Sequence, residues 1–400
     1  MKTRTIILSL LVGTFLLFSM SSAWAAEVRG VTDTEVKIAL LVDFSGPGKF
    51  AGPPISMGAK TFVDYVNAQG PIHGRKIKLI TEDNGIFPNT TLAAAKKVIF
   101  KDEIFAIGFN LGSSGSSAII PLCEENKVVL MPHGANKRFY SPGNKWVFVP
   151  YSTQYNMASR AVDYILSQNR KARMGIIYQD DDFGRDGLNG ARDAAKFHST
   201  KLVKAAPYKM GTIDMSPQVR MMKEANVDYI LCWTYIPQTA SILKETKMMG
   251  WDVTLIGNNT TAYRLMFPIA KQLAEGYLAV TPFAPWEDVS PKVKDIIRKY
   301  SDFPTVDKAP FPAPMFLASW VYFAAMIEGI KNAGRNLTPE TLIKGIESIN
   351  GLKMDGMCPD MSFGPKRHVG YFSSRVLKAD AKNMRFHEIA PIADPKAPQD

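Results

Sequence analysis

Four hundred residues with 46% hydrophobic and 21% charged side chains describe a globular chain, neither disordered nor fibrous, and too long for one ordinary core. The formal charge is +11, but the basic residues are scattered and not interleaved with aromatics, which argues against nucleic acid as a partner. Three cysteines stand far apart with no Cys-x-x-Cys pair; Cys123 and Cys232 fall in apolar runs, so buried free thiols are expected in place of a disulfide.

The N-terminus reads as an export signal. Lys2 and Arg4 precede an apolar run from Ile6 to Phe18, and Ala23-Trp24-Ala25 offers small residues at both cleavage-defining positions. The run is too short to span a bilayer, and no later stretch is long and apolar enough. Cleavage after Ala25 removes Lys2 and Arg4 and no acid, taking the charge from +11 to +9. No cysteine follows the run, so a lipid anchor is not expected, and the mature protein should be soluble in the periplasm.

Beyond the signal, strand-like and helix-like patterns alternate. Val36–Val42 reads as a first strand, and helical spacing through Ile55, Ala59, Phe62, Val63 and Val66 follows it. Ile77–Ile80 is a second strand, and Pro88 opens a second helix. The third strand, Ile104–Ile107, runs into a long small-residue turn, Gly108–Ser117, before a helix through Ile119 and Leu122. Val128–Met131 is a fourth strand, ending in a second turn, Pro132-His133-Gly134-Ala135-Asn136. Both turns fall at strand C-terminal ends, where open α/β sheets bind ligands, and the serines fall where a helix N-terminus leaves N–H groups for an anion. Ser113 and Ser114 also suit a plain helix cap; the pairing with the second turn favours a site.

The rhythm restarts near Tyr151, with strands expected at 174–178, 201–207, 227–233, 253–256 and 276–281 and helices between them, including 262–274. Past Pro282 the pattern changes. Phe303–Pro314 holds four prolines and reads as a loop, Phe316–Ile330 as a long apolar helix, and Thr338-Pro339-Glu340 as the start of another. His368–Leu377 and Met384–Ile389 alternate like antiparallel strands, and Pro391–Asp400 reads as a frayed tail. The fold class is therefore α/β, two lobes each with a mostly parallel sheet.

Catalytic signatures are weak. Gly46-Pro47-Gly48-Lys49-Phe50-Ala51 fits G-x-G-x-x-A, but Pro47 removes a donor from the turn, Pro53 and Pro54 delay the helix, and the acids Glu82 and Asp83 lie too far on. No G-x-S-x-G surrounds the serines, and the five histidines show no ligand spacing; His133 alone falls at a candidate site. No cofactor and no metal is expected. Phe50, Phe183, Tyr235 and Phe316 recur at turns facing the presumed cleft, which suggests a shared apolar pocket.

In order along the chain, Val36-Lys37-Ile38-Ala39, Ser45-Gly46-Pro47 with Phe50-Ala51-Gly52, Gly58-Ala59, Ile107-Gly108 before the serines, Gly134-Ala135-Asn136, Phe183-Gly184 and Gly276-Tyr277 form a specific set. In them the chain resembles the periplasmic substrate-binding proteins of ABC transporters for branched-chain amino acids, through essentially its whole mature length. The resemblance implies the type I periplasmic binding fold: two Rossmann-like lobes, three crossover segments, and hinge closure on a small-molecule ligand. It divides the chain into residues 26–150 with 283–362 and residues 151–282 with 363–400. Carried over by position, Ser113 and Asn136 would hold the ligand's carboxylate, with backbone help from Gly112, Gly134 and Ala135; Ser114 is counted with the ligand-binding residues. Phe50, Phe183 and Tyr235 would wall the cleft. The position expected to carry an acid for a ligand ammonium is neutral Asn259, and Glu245 or Asp180–Asp182 are the available substitutes. A small aromatic or aliphatic acid without an α-ammonium is therefore the expected ligand, with a branched-chain amino acid as the alternative. The resemblance also implies a membrane permease as partner and a monomer. A sensory receptor of the same fold and an exported α/β enzyme are the competing classes.

Overall fold

The computed structural model describes residues 28–134, 136–140, 144–302 and 313–398; the segment expected to be an export signal, Ala135 and most of the expected proline-rich loop lie outside them. Two sheets form the frame. The first joins β1 (Glu35–Val42), β2 (Lys76–Asp83), β3 (Ala106–Leu111) and β4 (Val129–His133) in the order β2-β1-β3-β4, all parallel. Every residue of β3 and β4 is buried, which is why their first halves, through Ile107 and Met131, read as apolar runs. The second has seven strands, β5 (Met174–Gln179), β6 (Leu202–Tyr208), β7 (Tyr229–Trp233), β8 (Thr254–Gly257), β9 (Leu278–Thr281), β10 (Ser374–Asp380) and β11 (Arg385–Ala393). Its order is β11-β10-β9-β8-β7-β5-β6, parallel except for the antiparallel edge of β10 and β11.

Helices cover both sheets. On the first pack α1 (Gly52–Ala68), α2 (Pro88–Phe100) and α3 (Ser113–Glu125). On the second are α4 (Gln154–Gln168), α5 (Asp182–Phe197), α6 (Ser216–Glu224), α7 (Ile236–Met248) and the short α8 (Met266–Ala270). The last three, α9 (Pro291–Tyr300), α10 (Ala313–Ala333) and α11 (Pro339–Glu347), return to the first lobe. There α10 lies against α1 at Gly58, where a Cβ would come within 2.1 Å of the Phe316 carbonyl oxygen. The Ser319 hydroxyl donates to the Ile55 carbonyl across the same contact at 2.7 Å.

Three segments pass between the lobes, and two run side by side: Val149 N–H donates to the His368 carbonyl at 2.8 Å and Gly370 N–H to the Val149 carbonyl at 2.9 Å. The third is tied to its neighbour by Ala284 N–H on the Met357 carbonyl at 2.8 Å.

Several expectations shift. Gly108–Leu111 is strand, not turn, because Gly108 lets the chain pass within van der Waals reach of Ile38 and Phe323, where a Cβ would be 2.9 and 3.1 Å away. The serines that follow are the first turns of α3, with Ser116 and Ser117 hydroxyls donating back to the Gly112 and Ser113 carbonyls. Pro132 and His133 end β4. The expected helix over 262–274 shrinks to α8 and a 3-10 turn at Lys271–Ala274, with another 3-10 turn, Asn259–Thr261, ahead of it. Residues Pro391–Ala393 finish β11 and the tail is anchored: Lys396 N–H donates to the Asp163 carboxylate at 2.8 Å and Ala397 is buried. All three cysteines are buried free thiols, and no helix among the described residues is long and apolar enough to cross a membrane.

Candidate functional site

The two lobes meet along the C-terminal edges of β3, β4, β5 and β7. At the end of β3, Gly112 takes φ +102° and releases the chain directly into α3. A side chain there is excluded twice, by that backbone and by Ile86, whose Cγ1 a Cβ would meet at 2.8 Å. The first-turn N–H groups of this 13-residue helix therefore open toward the cleft, an anion-binding arrangement. The Ser113 hydroxyl sits among them and donates to the Gly134 carbonyl from the end of β4.

The facing wall is aromatic. Phe183 lies in the first turn of α5, held by the Asp181 carboxylate capping Gly184 N–H at 3.1 Å; Tyr235 immediately precedes α7. The two rings stack at 5.2 Å and 13°. Phe50 from the first lobe meets Tyr235 edge-on at 6.3 Å and 76°. Together these groups enclose a cavity of about 30 Å³, completed by Gln154, Thr260, His133 and Met315.

The polar chemistry of this cavity is neutral. No Asp, Glu, Lys or Arg lines it among the described residues. The nearby acids are engaged elsewhere. Asp43 accepts from Gly46 and Gly48 N–H at 2.5 and 2.6 Å, so the glycine loop that imitates a dinucleotide motif spends its donors on its own chain. Asp180 pairs with Arg185, Asp181 caps α5, and Asp182 accepts from Ser117. Asp186 accepts Lys137 and Tyr155 N–H at 3.0 and 2.9 Å; burial nonetheless holds its pKa up to about 7 against those donors.

Buried polar atoms without partners gather instead at the floor. His133 Nε2, Gln154 Oε1 and the Tyr151 hydroxyl have none, although Tyr151 faces Asn259, Gln154 and the Gly134 backbone. His133 is stacked between Phe109 (4.9 Å, 25°) and Tyr151 (5.0 Å, 10°), and burial pushes its pKa down to about 3, so the imidazole is neutral. Orphaned buried groups of this kind are matched by a ligand or by water.

Of the residues singled out from sequence, Phe50, Gly112, Ser113, Gly134, Phe183 and Tyr235 line one cavity. Ser114 is half-buried on α3 and outside its wall, as is Asn136, whose carbonyl accepts from Phe139 N–H at 2.9 Å. Asn259 stands behind Gln154, accepting its amide N–H at 3.0 Å, and Glu245 is not in the wall. Phe316 is fully buried in α10, not in the cleft. Gln154 and Thr260 carried no signal in the sequence beyond the capping threonine at Thr153; only the crossover brings Gln154 beside Asn259.

A family model described as periplasmic binding protein matches residues 35–383. The leucine-specific-binding protein of Salmonella typhimurium is 22% identical over 356 residues, 88% of this chain and 96% of that one. Among solved structures, a branched chain amino acid ABC transporter protein from Thermus thermophilus with bound valine superposes with a TM-score of 0.81 at 20% identity, covering 91% and 97% of the two chains. A solute binding protein of an ABC transporter from R. palustris, in complex with 4-hydroxybenzoate, gives 0.77 at 17% identity, covering 91% and 98%.

Proposed function

The chain belongs to the periplasmic binding protein family, and from that premise we propose that it is an exported receptor whose lobes close on a small carboxylate without an α-ammonium. The carboxylate sits on the N-terminal amides of α3 with Ser113, Gly112 and Gly134, and an aromatic or aliphatic body lies against Phe50, Phe183 and Tyr235. A membrane ABC permease receives the ligand. Members of the family are solute receptors and not enzymes. Export through the segment ending at Ala25, a monomeric state, and lobes built from 26–150 with 283–362 and from 151–282 with 363–400 complete the reading. Ser114, Ala135, Asn136 and Asn259 complete the ligand-binding residues of this reading.

The observation that carries the ligand class is that no carboxylate stands in the cavity wall among the described residues. An ammonium buried against Gln154 and Thr260 would have no counter-charge, at a cost of several kcal/mol. The names of the relatives favour a second reading, a branched-chain or other hydrophobic amino acid. A thermal-shift screen of ligand-stripped protein separates them. A ligand at 100 times its Kd adds about 2.7 kcal/mol to stability. Shifts with benzoates or short aliphatic acids and none with leucine, isoleucine or valine are expected; the reverse pattern makes the amino-acid reading correct.

A further inference from the structure

Beside the inner cavity, and sharing Phe50 and Tyr235 with it, lies a second one of about 170 Å³. Its walls are mostly apolar, from Pro47, Met210, Ile213 and Pro237, with Gln179 and Gln238 as amide side chains among them. The inner cavity holds about one water, whereas a dry cavity of about 150 Å³ admits a benzene ring. Gly48, Phe50, Ile86 and Tyr235 border both spaces, and the edge-on contact of Phe50 with Tyr235 between them consists of side chains that rotate without disturbing a strand or helix. A buried polar atom beside the outer space has no partner: Gln238, which is 6% exposed and lines that space, donates its amide N–H to the Thr212 carbonyl at 2.7 Å, and its Oε1, now turned from solvent, accepts from nothing and would need a side-chain rotation to meet a ligand.

Resting on the carboxylate reading above, we propose that the ligand is an elongated acid that spans both cavities: carboxylate at α3, apolar body passing between Phe50 and Tyr235, and a hydroxyl at the far end donating to Gln238 Oε1. An arylalkanoic acid with a para hydroxyl, or a hydroxylated aliphatic acid of similar length, has this chemistry. Short acids fill only the inner half and leave Gln238 unsatisfied, which weakens them on both counts.

Calorimetric titration of ligand-stripped protein with benzoate, 3-phenylpropanoate and 3-(4-hydroxyphenyl)propanoate tests the assignment. Two extra buried methylenes are worth about tenfold in Kd between the first two acids, and the hydroxyl a further three- to tenfold. Gln238→Leu should abolish the advantage of the hydroxylated acid over its parent. Because that residue also anchors the 210–213 turn, Ile213→Trp is the second variant: Ile213 is 61% exposed, so the change is tolerated by the fold. It narrows the outer cavity and should lower the preference for 3-phenylpropanoate over benzoate. Benzoate binding as tightly as the longer acids, with a ratio unmoved by Ile213→Trp, overturns the outer subsite and leaves the carboxylate receptor standing. A hydroxyl advantage that survives Gln238→Leu overturns the role of Gln238. Binding of leucine with no response to any of the three acids overturns the carboxylate reading and the subsite with it.

Discussion

Gln154 and His133 bring buried polar atoms to the cavity that no group of the chain engages, while the residue expected to carry the charge, Asn259, lies behind Gln154. On the proposed carboxylate reading, charge selection falls to Gln154. Replacing it by glutamate changes one atom and places a carboxylate where an α-ammonium would arrive. Gln154→Glu should lower the stability of the empty protein by a few kcal/mol, as a buried unpaired charge does, and should gain leucine or valine binding while losing at least tenfold in affinity for simple acids; calorimetry with both ligand classes reads it, and unchanged selectivity would remove Gln154 from this role. Two further buried groups give stability opposing dependences on pH. The folded pKa of Asp186, about 7, lies above an unfolded value of about 3.9, so its contribution is full below pH 4 and fades as pH rises through 7. The folded pKa of His133, about 3, lies below about 6.5, so its contribution is full above pH 6.5 and is lost as pH falls toward 3. Between about pH 4 and 6.5 the two slopes oppose. Denaturant titrations should show Asp186→Asn losing stability on acidification through that window and His133→Gln gaining it, with the parent flatter than either. Parallel profiles in all three proteins would mean that neither group titrates as its burial implies.

Elements were legible where burial or punctuation writes a simple pattern. The parallel strands β1, β3, β4 and β5 are apolar because helices cover both faces, and Pro88 and Thr338-Pro339 stand at true helix starts; Thr338 forms a capping box with Thr341. Gly108–Ser117 misleads because glycine and serine have poor propensity for either regular state, yet here they are chosen for close passage and for back-bonding within a helix. The helix α9 went unread since only Val293 and Ile297 of its ten residues are buried. For the site, the aromatics and glycines were visible because each falls at a strand end or helix start, whereas Gln154 depends on two distant segments meeting. The same close-passage logic governs helix packing. At Gly58 a methyl group would strike the backbone of α10, which cannot swing aside as a side chain would. Gly58→Ala should cost about 1–3 kcal/mol, read as a lowered denaturation midpoint with an unchanged slope; a change below about 0.5 kcal/mol would show that α1 and α10 separate freely.

At the scale of the molecule, direct contacts between described residues hold the lobes together across the cleft beside the anion site. The Ser117 hydroxyl on α3 donates to Asp182 on α5, Lys137 N–H in the first crossover donates to Asp186, and Phe50 meets Tyr235. The cavity behind them is too small for a benzoate or a leucine, so a ligand enters an open form and the rings rearrange around it. Closure and ligand binding are then linked: whatever weakens the closed state lowers affinity for every ligand by the same factor. Ser117→Ala removes one latch without touching the cavity wall. A hydrogen bond to a carboxylate at a partly exposed position is worth about 1 kcal/mol, which is about fivefold in the closed-to-open ratio. Kd should rise by about that factor for short and long acids alike, with their order preserved, and small-angle scattering of the ligand-free protein should show a larger radius of gyration. Variants of the wall behave differently, since Gln154→Glu reorders the ligands. A Ser117→Ala protein with unaltered scattering and affinity would place the resistance to opening in the paired crossovers at Val149 and His368, and the latch would have no part in setting affinity.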